Sequence, residues 1–250
     1  MARAKVLGRL NWQVATVADV RVESVTAATL VLEVNDWPGH LAGQHVDLRL
    51  TAEDGYTAQR SYSIASSAAD DRLELTIDHL PDGEVSTYLT QVVEVGDQLE
   101  IRGPLGGWFV WDPVDSRPVL LVGGGSGLVP LMAMMRTHRN APDAAPFHLV
   151  YSTRNPGESL FAGELDDISR AGSSVAVIYT RTAPPNTTRP PSRITAADLD
   201  VPGFRAADAP AVFVCGSNGF VEAAANLLLA LGHSAANIKT ERFGPTGGQP

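Results

Sequence analysis

The chain has 250 residues, of which 44% are hydrophobic and 19% are charged. These proportions are typical of a globular protein, and the length allows two ordinary domains or one large one. Acidic residues outnumber basic residues by 28 to 19, for a formal net charge of −9, so we expect no nucleic-acid-binding surface. The single cysteine, Cys215, excludes an internal disulfide and a cysteine-ligated iron–sulfur cluster within this sequence.

The sequence contains no candidate for a membrane-spanning segment. The first eight residues carry charges without an apolar stretch after them, and no run approaches roughly 18 apolar residues. We therefore expect no membrane span and a cytoplasmic protein.

Short alternating segments dominate the first hundred residues. Apolar and polar residues alternate in runs that predict strands over 12–22, 29–34, 45–50, 58–64 and 72–78, separated by turn signals. Short strands at roughly even spacing favour an antiparallel barrel or sandwich. Apolar residues three and four positions apart predict a short helix over 84–93.

The second half of the chain has a different pattern. The segment 103–109 is predicted to end any regular element, and 111–118 is predicted to be a linker. Strands are predicted over 119–122, 147–151, 174–179, 211–215 and 237–240, helices over 128–138, 160–171 and 219–231, and a proline-rich loop over 183–192. Alternating strands and helices predict a doubly wound parallel sheet. We therefore expect two domains, 1–115 and 116–250.

Arg60, Ser61, Tyr62 and Ser63 bring three chemistries into one predicted strand. An arginine forks onto a pyrophosphate, a tyrosine ring lies on a flat heterocycle, and a serine hydroxyl exchanges hydrogen bonds with a ring nitrogen. A flavin dinucleotide offers all three partners. The alternative interpretation is an edge strand with a surface arginine and a half-buried tyrosine.

A glycine cluster lies between a predicted buried strand and a predicted helix. Glycines at 123, 124, 125 and 127 surround Ser126, and such a turn brings backbone N–H groups to a phosphate at a helix N-terminus. The spacing is not Gly-x-Gly-x-x-Gly, and no Gly-Lys-Ser/Thr follows. The alternative is a flexible strand-to-helix turn.

Two further features follow predicted strands of the second half. Ser152, Thr153 and Arg154 lie just after 147–151, where doubly wound sheets bind their ligands. Arg154 either meets the 2′-phosphate of NADP or is a solvated surface residue. Cys215 and Gly216 end the strand 211–215 at the same edge, although a lone cysteine there is more often a small core residue. No metal-ligand pair and no Gly-x-Ser-x-Gly motif is present, so the sequence offers no basis for hydrolytic chemistry.

These motifs together resemble the ferredoxin–NADP reductase superfamily. Arg-x-Tyr-Ser at 60–63, Gly-Gly-Gly-Ser-Gly-Leu-Val-Pro at 123–130 and Cys-Gly at 215–216 fall in the family's order, and the similarity spans about 12–244. The chain is most similar to the reductases of phthalate and benzoate dioxygenases, without their iron–sulfur domain. The resemblance implies an N-terminal antiparallel Greek-key β-barrel that binds FAD, followed by a doubly wound parallel-sheet domain that binds NAD(P).

The resemblance also implies roles for individual residues. Arg60 would contact the flavin pyrophosphate and Tyr62 would pack on the isoalloxazine. Ser63 and Cys215 are the implied catalytic residues, because Ser63 would reach toward flavin N5 and Cys215 would shape the nicotinamide pocket. Phe243 is the nearest counterpart of the family's terminal flavin-stacking aromatic. The other implied cofactor-binding residues are Ser61, Ile77, Gly83, Val85 and Ser86 for FAD, and Gly123, Gly124, Gly125, Ser126, Gly127, Pro130, Ser152, Arg154 and Gly216 for the nicotinamide nucleotide.

The function implied by the resemblance is an FAD-dependent NAD(P)H reductase. Hydride would pass from nicotinamide to FAD, and single electrons would pass on to a separate iron–sulfur or other redox protein. A free quinone, free flavin or oxygen remains an alternative acceptor, and the choice between NADPH and NADH stays open. The rival hypothesis is a non-catalytic flavin-binding subunit of a larger electron-transfer complex.

Overall fold

The computed structural model describes residues 11–141, 145–171, 174–185 and 187–244. The ends of the two expected domains, 1–10 and 245–250, and residue 186 of the predicted loop lie outside the described residues.

Six strands and one helix form the first structural unit. The strands are β1 (Gln13–Val22), β2 (Ala27–Val34), β3 (His45–Thr51), β4 (Thr57–Ser63), β5 (Leu73–Asp78) and β6 (Gln98–Leu105), and the helix is α1 (Glu84–Gln91). The first five strands and the helix begin and end within two residues of their predicted limits. Alternation of apolar and polar residues, together with the turn signals between the runs, therefore located these elements well, although Ala27–Leu32 of β2 is buried on both faces.

The six strands form an antiparallel barrel with Greek-key connections. Their order is β4–β3–β6–β1–β2–β5, and a bridge between Ile64 and Leu75 closes β4 onto β5. β3, β4 and β5 are thus sequential neighbours, and β6 returns to lie beside β3, which is the Greek-key arrangement. The prediction of an antiparallel Greek-key barrel is confirmed.

The prediction that 103–109 ends regular structure is wrong at its start. β6 continues through Gly103 and Pro104 to Leu105. Its pairing with β1 stops at Ile101, whereas its pairing with β3 continues to Leu105. A proline is tolerated in a strand where its missing N–H faces no partner, so the strand persists with one neighbour.

Five strands and four helices form the second structural unit. The strands are β7 (Val119–Gly124), β8 (Phe147–Thr153), β9 (Ser174–Tyr179), β10 (Ala211–Ser217) and β11 (Ile238–Phe243), and the helices are α2 (Leu128–Arg139), α3 (Ala162–Arg170), α4 (Ala196–Leu199) and α5 (Asn218–Ala230). All neighbouring strands are parallel, in the order β11–β10–β7–β8–β9.

Helices cover both faces of this parallel sheet. Leu121 of β7 shares one apolar cluster with residues of α2 and α3, and Leu120 shares another with residues of α4 and α5. Successive strand residues point to opposite faces, so the two clusters are the two sides of the sheet. The prediction of a doubly wound parallel sheet is confirmed; the four-residue helix α4 was not predicted.

The two units share apolar packing along α2. Ala42, Ala65 and Phe109, from the first 115 residues, belong to the same buried cluster as Leu131 and Met134 of α2. No helix within the described ranges is both long enough and apolar enough to cross a membrane.

Candidate functional site

The opening between β4 and β5 exposes the side chain of Arg60. Pairing with β3 places Arg60 opposite Leu48 and Tyr62 opposite Val46, on the face that lines the barrel core. β4 and β5 meet only at the Ile64 bridge, and α1 packs on both strands. Tyr62 is half-buried there, and burial raises the pKa of its hydroxyl to about 12. A flat ring and an exposed guanidinium therefore lie side by side at this opening.

Ser61 and Ser63 lie on the other face of β4 and differ in their partners. The Ser61 hydroxyl donates to Asp47 Oδ1 at 2.7 Å, and Arg102 donates to the second oxygen of the same carboxylate at 2.6 Å. Ser63 is buried, and its Oγ has no hydrogen-bond partner among the described residues. A buried hydroxyl without a partner is rare in native proteins. It fits a site where a ligand atom completes the bond, as a flavin nitrogen does.

The start of α1 offers backbone donors beside that opening. Gly83 precedes the helix without any side-chain cap, so the first N–H groups are free for an anion. A Cβ on Gly83 would lie 2.4 Å from Ser86 Oγ and 3.0 Å from Leu80 O, so a side chain here would displace the Ser86 hydroxyl. The Ser86 hydroxyl itself accepts from Leu80 N at 3.2 Å and donates to Gly83 O at 3.1 Å. The Ser86 side chain therefore stabilises the turn, and the groups left to bind a ligand are the backbone N–H groups.

Two of the implied flavin residues lie inside the barrel core. Ile77 of β5 and Val85 of α1 are buried in the same apolar cluster. Their side chains pack the wall behind the opening.

The glycine turn is built so that backbone approaches backbone. A turn of 3₁₀ helix over Gly125–Gly127 joins β7 to α2. A Cβ on Gly127 would lie 2.2 Å from Cys215 O, and a Cβ on Gly124 would lie 2.7 Å from the Phe220 ring. Gly125, at φ +56°, has open space around it. The turn thus presents peptide groups at the start of a buried helix, which suits a pyrophosphate.

The implied nucleotide residues gather at the carboxyl edge of the parallel sheet. The register places Cys215 beside Gly123, and Gly124 beside Ser152. Gly216 follows Cys215 in β10, while Ser126 lies in the glycine turn and Pro130 is buried in the first turn of α2. Strands that end at one edge form the ligand-binding side of doubly wound sheets.

Two arginines lie farther along the same edge. Arg154 follows β8, and its carbonyl oxygen accepts from Arg181 N at 2.9 Å just beyond β9. Both side chains are exposed. Arg154 Nη1 lies 3.1 Å from Glu158 Oε2, so its charge is partly satisfied within the chain.

Glu241, which the sequence analysis missed, lies between the two units. The register of β10 and β11 places it beside Cys215, and His45 Nδ1 of the barrel lies 3.9 Å from Glu241 Oε1. Burial raises the pKa of Glu241 to about 7 and lowers the pKa of His45. Glu241 Oε2 has no partner in the part of the chain that the structure describes. His45 is paired with Ser63 across β3 and β4.

Ser63, His45, Cys215 and Glu241 therefore meet where barrel and sheet face each other. Burial raises the pKa of the Cys215 thiol well above its ordinary value, and the neighbouring Glu241 adds to the shift. A thiol held protonated is a poor nucleophile, in agreement with a shaping role. No sequence motif marked Glu241, because its position beside Cys215 depends on strand register.

Phe243 ends β11, opposite Ser217 of β10. Its ring is partly buried and packs on the cluster that contains Cys215. It lies two residues after Glu241, on the same side of the strand.

Two family models match successive parts of the chain. The oxidoreductase FAD-binding domain matches residues 15–110 and the oxidoreductase NAD-binding domain matches residues 121–226. The toluate 1,2-dioxygenase electron transfer component of Pseudomonas putida is 27% identical over 81% of this chain and 58% of its own length. The chain spans between about one third and two thirds of the length of the curated relatives it matches best.

Solved structures of similar fold extend over almost the whole chain. A cytochrome P450 reductase from Amycolatopsis is 28% identical with a TM-score of 0.83, covering 97% of this chain and 73% of that one. The FAD/NAD-binding domain of nitric oxide dioxygenase from Vibrio cholerae is 26% identical with a TM-score of 0.81, covering 93% and 99%. The barrel, the parallel sheet and the two domain matches agree, and the chain belongs to the FAD- and NAD-binding oxidoreductases of the ferredoxin–NADP reductase superfamily.

Proposed function

We propose that this protein is an FAD-dependent NAD(P)H reductase that passes electrons to a separate redox protein. The observation that carries the proposal is the buried hydroxyl of Ser63, which has no hydrogen-bond partner among the described residues. Ser63 is paired with His45 across β3 and β4, and His45 lies 3.9 Å from Glu241, the neighbour of Cys215 in the nucleotide sheet. The barrel thus presents a buried hydrogen-bonding group near its contact with the nucleotide sheet.

FAD, when bound, supplies the redox chemistry: it accepts a hydride from a nicotinamide and releases electrons one at a time. The chain supplies binding and orientation. Arg60 and the first N–H groups of α1 hold the pyrophosphate, and Tyr62 provides a flat apolar surface for the ring. Ser63 fixes the ring edge by a hydrogen bond. These assignments rest on the geometry of β4, β5 and α1. Ser61, whose hydroxyl donates to Asp47, and the buried Ile77 support the site from behind.

The nucleotide site in this proposal is the edge formed by β7, β8 and β10. The glycine turn binds the pyrophosphate through peptide N–H groups, since Gly124 and Gly127 leave no space for a Cβ. Cys215 and Gly216 shape the nicotinamide pocket, and Phe243 closes it against the flavin. Glu241, with a pKa near 7, holds or releases a proton at the same joint. The proposed domains are 1–115 for FAD and 116–250 for NAD(P).

The preferred nucleotide in this proposal is NADPH. Arg154 and Arg181 follow the adjacent strands β8 and β9 at the same edge of the sheet, and both side chains are exposed. A 2′-phosphate is a dianion that accepts charge-assisted hydrogen bonds, and two guanidinium groups bind it well.

The proposed acceptor is an iron–sulfur or other one-electron redox protein. Supporting it, the relatives include an electron transfer component of a dioxygenase and a cytochrome P450 reductase. A sequence with one cysteine cannot ligate its own cysteine-bound cluster. A cytoplasmic location belongs to the proposal because NAD(P)H pools are held there.

Anaerobic stopped-flow mixing of the FAD-loaded protein with NADPH and with NADH tests the proposal. We expect flavin absorbance to bleach with at least one nucleotide, and faster with NADPH. Failure of both nucleotides would instead favour the non-catalytic flavin-binding subunit. Reoxidation of the reduced protein by ferredoxins, quinones, free flavin and oxygen, compared at equal concentration, then ranks the acceptors.

A further inference from the structure

One arginine joins the barrel to the nucleotide sheet through three different elements. Arg136 lies in the last turns of α2, and only 14% of its side chain is exposed. Its Nε and Nη2 donate to the carboxylate of Glu164 in α3, at 2.9 and 2.6 Å. Its Nη1 donates to Glu74 Oε2 in β5 at 2.8 Å and to the carbonyl oxygen of Ala65 at 2.9 Å. One guanidinium therefore binds both units at once.

The barrel side of this contact belongs to the segment that leaves the flavin strand. Ala65 lies two residues after Ser63, and its N–H donates to the carbonyl oxygen of Glu74 at 2.8 Å. The adjacent residue of α2 adds a second attachment, because Ala68 N donates to Thr137 Oγ1 at 3.2 Å. The end of β4 is thereby fastened to the C-terminal half of α2.

The other end of α2 begins at the glycine turn. An α-helix is stiff over its twelve residues here, so fixing its C-terminal half also fixes the position of Gly125–Gly127. The apolar packing of α2 against Ala42 and Ala65 is non-directional. The hydrogen bonds of Arg136 also fix the orientation of α2 relative to the barrel, because a planar guanidinium binds its acceptors in a defined geometry.

We propose that Arg136, through Glu74 and Ala65, is a positioning residue that sets the distance between the flavin and the nicotinamide. The inference rests on the proposed reductase function. Arg136 touches neither ligand; it acts by holding the dinucleotide turn against the strand that carries Ser63. Removing it loosens the approach of the two reacting rings while leaving each binding site intact.

The test compares three variants by stopped-flow reduction of the FAD-loaded protein. Arg136→Lys keeps the charge but loses the fork, and we expect its limiting rate of flavin reduction to fall about tenfold. Arg136→Met should fall further, by about a hundredfold. The nucleotide dissociation constant should stay within about twofold in both, because no ligand contact changes.

Arg139→Ala is the matched control. Arg139 lies on the same helix and approaches the same Glu164 at 3.8 Å, but 56% of its side chain is exposed. We expect wild-type rates from it. Flavin content and full reduction by dithionite serve as checks that the flavin site of each variant is intact.

The outcomes separate this inference from the function on which it rests. If wild-type protein is bleached by dithionite but by neither nucleotide, the reductase function fails. If wild type is reduced and Arg136→Lys matches Arg139→Ala per bound flavin, the positioning role is overturned. A purely structural role would lower flavin content or thermal stability without changing that rate. If Arg136→Met does not fold, Arg136→Lys decides alone.

Discussion

The barrel opening and the carboxyl edge of the parallel sheet, which face the proposed ligands, differ in the kind of chemical group that they expose. At the barrel opening, the groups that face a ligand are side chains: the exposed Arg60, the half-buried Tyr62 and the buried Ser63, whose hydroxyl has no partner among the described residues. At the sheet edge, the groups are mostly peptide units, because Gly124 and Gly127 leave no space for a Cβ. A substitution at the first edge removes one chemical contact. At the second edge, a side chain on Gly127 pushes the glycine turn away from β10, so affinity and stability should change together.

The largest expected effect is therefore at the sheet edge. Gly127→Ala should lower the free energy of unfolding by more than about 3 kcal/mol, because the new Cβ meets backbone, which cannot move aside as a side chain does. The contact would be 2.2 Å, to Cys215 O. Denaturant unfolding measures the change.

Gly163→Ala in α3 is the control for that substitution. Its Cβ would have nothing within 4 Å, and alanine in a helix should stabilise the protein by about 0.5–1 kcal/mol. If both alanine variants were equally stable, the sheet edge would not depend on close backbone packing.

Glu241 lies where the two edges meet and should make stability depend on pH. Burial raises its pKa to about 7, whereas the unfolded chain ionises near the ordinary carboxyl value. Between these values the folded state binds more protons, so stability falls as pH rises through this window. Glu241→Gln stays neutral, and we expect it to be more stable than wild type by about 2–3 kcal/mol at about pH 8 and by less than about 1 kcal/mol at about pH 5.

Denaturant unfolding of both proteins at the two pH values measures this difference. Glu222→Gln, at an exposed position of α5, should show no such pH-dependent gain. A constant difference between Glu241→Gln and wild type at all pH values would mean that the carboxyl does not titrate in this window.

Sequence patterns predicted the residues of the barrel opening and of the sheet edge better than they predicted the residues at the contact between the two units. Arg60, Tyr62 and the glycines are visible because strand alternation and a glycine-rich turn are local signals. Glu241 and Arg136 are not local signals. Glu241 lies beside Cys215 only through the register of β10 and β11, and Arg136 reads as an ordinary basic residue in the last turn of a helix.

The same limit explains the missed strand β6. Gly103 and Pro104 are turn signals in isolation, and the strand survives only because β3 still pairs with it after β1 has ended. Local sequence contains no information on which neighbour is present at that point.

At the barrel edge, one side chain should change affinity alone. Arg60 is exposed, and within the described part of the chain its Nη1 donates only to the neighbouring Gln59 O, at 2.7 Å. Removing this side chain leaves no buried group without a hydrogen-bond partner. Arg60→Ala should therefore leave the stability of the flavin-free protein within about 0.5 kcal/mol of wild type. FAD should bind about 10- to 100-fold more weakly, because charge-assisted bonds to the pyrophosphate are lost.

Titration of flavin-free protein with FAD measures that loss. Arg72→Ala is the comparison, since Arg72 is an exposed arginine of the same barrel, paired with Glu33 at 2.8 Å. Full FAD affinity in Arg60→Ala would remove Arg60 from the pyrophosphate and weaken the contrast between the two edges.

The smallest expected effect concerns Arg154, which would bind its ligand through a side chain at the sheet edge, where most of the other groups are peptide units. Arg154→Ala should raise the KM for NADPH about tenfold and that for NADH less than about twofold, since only NADPH carries the second phosphate. Arg170→Ala, which removes an exposed arginine paired with Asp167, should change neither.

Arg154 also pairs with Glu158, and a 2′-phosphate must compete with that carboxylate. Glu158→Gln should therefore lower the KM for NADPH, and equal effects of Arg154→Ala on both nucleotides would leave the sheet edge with backbone recognition alone.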